Sequence, residues 1–130
     1  MFNHSFTIYN KYYDFDRDLD IYQKSEIHGV LWTSQEGHIR RNSLTVSGDK
    51  IVIYIPIVSN SESTYVDPEG WSELEDAAGK YTITSGDLVV KGVGHADISS
   101  LRELKNYFTI TTVDFNDFGG DMSNWEVVAK

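Results

Sequence analysis

The sequence predicts a mostly β protein, a single small antiparallel β-barrel or sandwich of seven to eight strands with one short α-helix. Three observations support this fold class. Short runs of β-branched and aromatic residues recur along the chain, and polar or glycine-containing turns separate them. The aromatic residues, 8 Tyr, 6 Phe and 3 Trp, suit the half-buried surface of a sheet. A length of 130 residues fits one domain, so we predict a single domain over residues 1–130.

The chain begins with two predicted strands separated by an acidic turn. The first covers 6–9, where strand-forming residues alternate. The second is long and covers 21–32. We expect a β-bulge in it near Ser25 or Gly29, because small residues inside a strand often mark such irregularities.

Residues 44–46 and 51–57 are predicted to form a hairpin around a Ser-Gly-Asp turn. Pro56 lies late in the second of these strands. Because proline has no N–H to donate to a ladder, we predict that this end of the strand lies at a sheet edge.

The C-terminal half adds four predicted strands, at 81–84, 88–92, 108–113 and 125–128. A Gly-Asp turn joins the first two of them. The third alternates most strongly, and a polar, glycine-containing turn leads from it into the last strand.

One short α-helix is predicted at about 97–106. Ser100 and Glu103 have the spacing of a capping box, and Asp97 is an alternative N-cap. Apolar residues recur in this stretch at intervals of three to four, as one helix face requires. They are Ile98, Leu101, Leu104 and either Tyr107 or Phe108.

A polar, acidic loop at about 59–79 separates the two halves, with room for one helical turn around 72–77. Long loops inside compact domains are uncommon and are often functional. Trp71, in its middle, is expected either to fold back on the barrel or to be presented to a partner. The candidate interface or channel residues of this loop are Glu62, Tyr65, Asp67, Glu69, Trp71, Glu73, Glu75 and Asp76.

Composition and motifs predict no catalytic, cofactor or metal site, and hence no enzyme. The absence of cysteine excludes disulfides, thiolate metal ligands and a cysteine nucleophile. The alternating aspartates from Asp14 to Asp20 lack the glycine and glutamate of a calcium loop, since Leu19 and Ser25 hold those positions. A net charge of −9 argues against binding to nucleic-acid phosphates. We also expect no signal peptide, because the N-terminus lacks a basic region followed by an apolar run. We expect no membrane partner, because no apolar run approaches the roughly 20 residues of a membrane span.

Several segments together resemble one family. They are Thr7–Lys11, Gly29–Trp32, an Ile-Pro-Ile strand end at 55–57, Pro68 followed by Trp71, Ile83–Gly92, Thr109–Asp114 and Asn124–Val127. This combination resembles small minor structural proteins encoded in the head–tail joining region of tailed bacteriophages and prophages, mostly of Gram-positive hosts. The chain departs from that pattern at Asn124, where a histidine is expected.

The resemblance implies a head-completion (stopper) subunit of the phage neck. Such a subunit would form a six-fold ring of copies that joins the portal–adaptor complex to the tail terminator. The 59–79 loop would reach a channel through which DNA passes without specific binding, and the 92–106 segment would pack outside the barrel. The protein would be made in the host cytoplasm and reside in the virion neck.

Two alternatives remain open. One is a tail terminator or another minor virion protein. The other, from a different class, is a small β domain that binds carbohydrate or another ligand through Trp71 and the nearby acids.

Overall fold

The computed structural model describes residues 3–14, 17–35, 50–57, 60–61, 63–74, 76–98, 101–117, 119 and 123–130. Their strands are β1 (His4–Asp14), β2 (Leu19–Gln35), β3 (Lys50–Pro56), β4 (Asn60–Ser61), β5 (Thr64–Tyr65), β6 (Lys80–Tyr81), β7 (Leu88–Lys91), β8 (Phe108–Asn116) and β9 (Asn124–Ala129). The helical elements are α1 (Pro68–Ser72) and a 3₁₀ turn at Leu101–Glu103. The predicted strand at 44–46 lies outside the described residues.

Six of these strands close into an antiparallel barrel in the order β1-β7-β8-β9-β3-β2, because β2 also pairs with β1. This confirms the predicted mostly β fold with one short helix. The two-residue β4 extends the ladder of β2 next to β3. Outside the barrel wall, β5 and β6 form a separate parallel ladder.

The predicted bulge in β2 is confirmed at Gly29. The register of β1 against β2 shifts by one residue there, from His4 opposite Val30 to Ser5 opposite His28. Gly29 is the extra residue, and its φ of 78° is accessible to glycine at low cost.

The barrel interior is filled by β-branched and aromatic side chains contributed by all six wall strands and by the 81–83 segment. Trp32 is part of this core, with ring centroids 6.2 Å from Phe6 and 6.1 Å from Phe108. The buried members of this core are Phe6, Ile8, Ile27, Val30, Trp32, Ile51, Ile53, Ile55, Tyr81, Ile83, Val89, Ile110, Val127 and Ala129.

The predicted helix at 97–106 is wrong in position. Described residues of that stretch hold a single 3₁₀ turn, while the α-helix is α1, within the acidic loop. We call residues 92–98 and 101–107 the strap. Two carbonyls of the strap are held by the barrel, because Tyr9 Oη donates to Ala96 O at 2.7 Å and Lys24 Nζ donates to His95 O at 2.7 Å. Asn106 has a φ of 58°, which ends any right-handed helix there.

The predicted edge position of Pro56 holds for that end of β3 but not for the strand as a whole. β3 lies between β2 and β9 inside the closed barrel, and its pairing with β2 ends at Tyr54 opposite Leu31. Ile57 N donates to Ser123 O on the β9 side at 3.1 Å. Because N–H groups alternate sides along a strand, the nitrogen of Pro56 faces the side where the β2 ladder has already ended. The missing donor therefore costs no ladder bond.

Candidate functional site

The acidic loop is folded onto the barrel. We call its described residues, 63–74 and 76–81, the acidic segment. Its two ends lie side by side in the parallel ladder, where Thr64 N donates to Gly79 O at 2.9 Å and Val66 N donates to Tyr81 O at 2.8 Å. Between these ends, α1 begins after Asp67, whose Oδ1 accepts the Gly70 N–H at 2.7 Å. The segment is therefore a structured insertion in place of the irregular loop that was predicted.

Trp71 anchors the acidic segment and is not presented to a partner. It is 6% exposed, and its Nε1 donates to Lys11 O at 3.0 Å. Its ring meets Tyr12 edge-on at 5.8 Å, and Tyr12 Oη donates to Leu74 O at 2.8 Å. Ala77 completes the buried cluster. Of the two predicted alternatives for Trp71, the structure therefore shows the one in which it folds back on the barrel. Trp71 is no longer a candidate for contact with a partner.

The other acidic candidates divide into two groups. Asp67 and Asp76 satisfy local backbone donors, since Asp67 caps α1 and Asp76 Oδ1 accepts the Ala78 N–H at 3.0 Å. Glu69 and Glu73 are exposed. Glu62 and Glu75 lie outside the described residues. The structure thus leaves an exposed acidic surface here, with no side chain arranged for acid–base chemistry among those it describes.

A buried carboxylate that was not singled out in the sequence connects the acidic segment to the barrel. Asp87 is 4% exposed and accepts hydrogen bonds from Asn10 Nδ2 at 2.8 Å and from Lys11 N at 3.1 Å. Asn10 also donates to Thr82 O and accepts from Thr82 N, at 2.7 and 3.0 Å. Burial raises the pKa of Asp87 from 3.8 to about 6, against the opposing effect of these hydrogen bonds. We interpret this network as structural, because it is closed to solvent.

An aromatic groove runs along the junction of the acidic segment with β8 and β9. Trp125 forms its centre, with ring centroids 4.9 Å from Tyr65 and 5.5 Å from Phe115. Phe115 is 51% exposed, the highest value among the exposed large apolar residues described. The groove has a volume of about 490 Å³, and Pro68, Ile83, Thr84, Ser85 and residues 111–113 line its remaining walls. Among the candidate residues predicted for the acidic loop, Tyr65 lines this groove.

The phenol of Tyr65 stays neutral in this groove. Burial raises its pKa above the usual value of 10.0, and the negative charge of Asp67 raises it further. The groove therefore offers a neutral aromatic floor with an acidic residue at one side.

One wall of the groove is the edge of β8. On its β7 side, β8 pairs only at Phe108 and Thr109, and the last backbone bonds join Ile110 to Gly86 and Asp87, both at 2.8 Å. Beyond a bulge between Ile110 and Thr112, β8 continues to Asn116 with β9 as its one partner strand. Within the described part of the chain, no strand pairs with the other side of residues 111–116. We call this the open edge.

The open edge has two chemically different faces. Val113 and Phe115 turn towards the groove, whereas Asp114 is exposed on the opposite face. Asp114 lies directly opposite Glu126 of β9, so two carboxylates share that face. Like charges in this position destabilise a sheet slightly. Neither carboxylate has a salt bridge to a cation in the described residues.

The sequence contains the signal for this edge, although the prediction stopped at residue 113. Alternation continues through Val113, Asp114, Phe115 and Asn116, which indicates a longer strand. No pattern in the sequence indicates that the pairing of β8 on its β7 side stops at Ile110, because that depends on the length of β7.

In the ranges that the structure covers, no group of three or more His, Asp or Glu side chains is arranged to hold a metal ion. Those ranges also contain no helix with the length and apolar character that crossing a membrane requires.

The fold and the groove define a small closed antiparallel β-barrel with one strand edge left open beside an aromatic surface. Over residues 1–130, the chain matches the model of a family described as a family of unknown function, DUF6751, and it belongs to that family. No curated protein matches the chain. No solved structure matches it either.

Proposed function

We propose that this protein is a non-enzymatic structural subunit of a phage head–tail connector ring, most specifically a head-completion (stopper) protein. The observation that carries the proposal is the open edge of β8 beside the aromatic groove. An unpaired strand edge is a template for another chain, and proteins that do not use one usually cover or shorten it. An exposed aromatic next to such an edge is typical of an interface anchor.

The charge distribution supports the same role. The net charge is −9, and Glu69 and Glu73 are exposed on the acidic segment. If that segment lines a channel, its carboxylates repel the phosphates of passing DNA and limit adhesion. Salt screens this repulsion beyond roughly 8–10 Å, so it acts within the channel itself. The resemblance of the sequence to neck proteins supports the particular location.

Assembly provides the first test. We expect the full chain, mixed with the proteins encoded beside it, to form ring-shaped particles containing six copies, detected by native mass spectrometry and negative-stain imaging. The chain alone need not form rings, because a ring can require its neighbour as a template. Monomers under both conditions would contradict the proposal.

A matched pair of variants tests the role of the groove. In the mixture with the neighbouring proteins, Phe115→Ser is expected to reduce ring formation, because it removes the exposed aromatic at the open edge that would hold such a neighbour. Val93→Ser is the control, since Val93 is a similarly exposed apolar side chain on the strap, at 43%. Equal assembly of the two variants would show that the groove is not part of the contact.

A second candidate function is the binding of a carbohydrate in the groove. Tyr65, Phe115 and Trp125 provide aromatic faces, and the hydroxyl-bearing Thr84 and Ser85 lie beside them. The earlier hypothesis placed this function at Trp71, which is buried. Glycan-array binding that is lost in Phe115→Ala, with the fold retained, would favour this candidate over the structural one.

A further inference from the structure

We propose that the open edge of β8 accepts an extended segment of a different protein as an added strand, and that this segment alternates apolar residues with Lys or Arg. The inference deepens the proposed structural role and rests on it, because it names the chemistry of the neighbour that the subunit contacts. It is argued from the backbone of the edge, from its two faces and from charge.

The backbone provides the attachment. In an antiparallel ladder, every second residue turns its N–H and C=O away from its partner strand. Residues 112–116 are paired with β9 alone among the described strands, so two or three of them direct these groups outward. An added strand would satisfy them, and main-chain hydrogen bonds of this kind supply affinity independent of sequence.

The pleat then dictates which side chains fit. On one face, an added residue opposite Val113 or Phe115 lies beside the aromatic groove, which Tyr65 and Trp125 also line. An apolar side chain is favoured there because it covers the exposed part of Phe115. Since side chains alternate between the faces of a strand, the intervening residue of the added strand lies next to Asp114.

Charge determines which residues of the added strand fit the face that carries Asp114. Asp114 and Glu126 lie opposite each other on that face with no described cation beside them. A Lys or Arg on the added strand would lie opposite Asp114, with Glu126 on the far side of β8. The added positive charge would offset the repulsion between these two carboxylates. A second copy of this chain is a poorer occupant, because its net charge of −9 brings acid towards acid.

Blocked seven-residue peptides test this without knowledge of the natural neighbour. The probe is acetyl-Thr-Val-Lys-Val-Lys-Val-Thr-amide, compared with a version carrying Glu for both Lys residues and with one carrying Pro for the central Val. Binding to the full chain is measured by calorimetry and located by amide chemical shifts. We expect the Lys peptide to bind about tenfold more tightly than the Glu peptide, and the Pro peptide to lose binding.

A charge exchange provides the decisive control. Asp114→Lys is expected to reverse the preference, so that the Glu peptide becomes the tighter ligand. Glu73→Lys makes the same change of charge on the acidic segment and should leave the preference of the parent chain unchanged. Asp114→Asn serves as a milder variant and should bring the two peptides to similar affinity. Circular dichroism establishes that each variant retains the fold.

Several results would overturn the inference. These are no binding of any peptide at millimolar concentration, equal binding of the Lys and Glu peptides, retained binding of the Pro peptide, or shifts that map away from 112–116. Self-association of the chain that Phe115→Ser abolishes would also overturn it, by identifying a second copy as the occupant. Rings without peptide binding would reject this inference alone, whereas peptide binding without rings would reject the connector role alone.

Discussion

Strands β1 and β8 belong to the wall of the same barrel, but the rest of the chain covers them very differently. Residues 6–10 of β1 are all buried, because the core contacts one face and the strap covers the other. In β8, by contrast, Asp114 and Phe115 are exposed and one edge is open. The two insertions of the fold, the strap and the acidic segment, both pack against β1. The extent to which the strap and the acidic segment cover a strand, more than the strand's own sequence, therefore distinguishes the stable side of the barrel from the side that is available for contact.

The largest loss of stability is expected when Trp71, the anchor of the acidic segment, is removed. Trp71→Ala deletes a buried indole and its hydrogen bond to Lys11 O, so we expect a loss of about 3–5 kcal/mol in the free energy of unfolding. Urea titration followed by circular dichroism measures it. Glu73→Ala, an exposed change on the same segment, should stay within about 0.5 kcal/mol. A similarly small effect of Trp71→Ala would show that the segment does not depend on this contact.

The second effect concerns the carboxylate buried beside β1. The pKa of Asp87 is about 6 in the folded chain, raised from 3.8, so the folded state holds this proton more tightly than the unfolded state does. The resulting stability is complete below pH 3.8 and is lost as the pH rises through about 6. It amounts to about 3 kcal/mol, from 1.36 kcal/mol per unit.

Urea midpoints between pH 4 and 7 test this prediction. We expect Asp87→Asn to flatten the profile over that window, although its amide fits the donors of Asn10 and Lys11 less well and lowers the stability overall. Parallel profiles for the parent chain and the variant would contradict the assignment of the pH dependence to Asp87.

A smaller change tests the attachment of the strap. Tyr9→Phe removes the hydrogen bond from Tyr9 Oη to Ala96 O and leaves the ring in place. We expect a loss of about 1 kcal/mol, because the carbonyl of the exposed Ala96 can bond to water instead. Hydrogen exchange should be faster in 94–98 and unchanged in β9. Unchanged exchange in the strap would show that Lys24 and the other contacts suffice to hold it.

The smallest effect is expected on the open side. Phe115→Ser should change the free energy of unfolding by no more than about 1 kcal/mol, since half of the ring is already in water. Ile8→Ala in β1 should cost about 2–5 kcal/mol, because Ile8 is fully buried. If the two losses were equal, the open edge would be as well packed as β1 and the contrast would not hold.

Local patterns were sufficient for most strands and insufficient for the helix. Alternation and turn residues predict the wall strands, and a small residue in a long strand correctly indicates the bulge at Gly29. The strap has helical spacing, but it holds a single 3₁₀ turn among its described residues, and Tyr9 and Lys24 bind the carbonyls of Ala96 and His95 just before the predicted helix. Trp71 could be assigned to either alternative from the sequence, because its environment is formed by Tyr12 and Lys11, about sixty residues earlier.

The candidate site was predicted in part. The acidic composition of the segment and the position of Tyr65 within it follow from the sequence. The groove does not, because Tyr65, Phe115 and Trp125 meet only when β8 and β9 pair beside the acidic segment.

The sequence by itself determined that this protein is a small acidic β domain, since residue alternation and composition act locally along the chain. The tertiary structure alone decided that the barrel closes, that Asp87 is buried and that no strand among the described residues pairs with one side of β8 beyond Ile110. The reason is physical: a strand's side chains set which face is apolar, but its neighbours set which edge is paired. Because β7 is only four residues long and β8 is nine, the remainder of β8 extends past its partner.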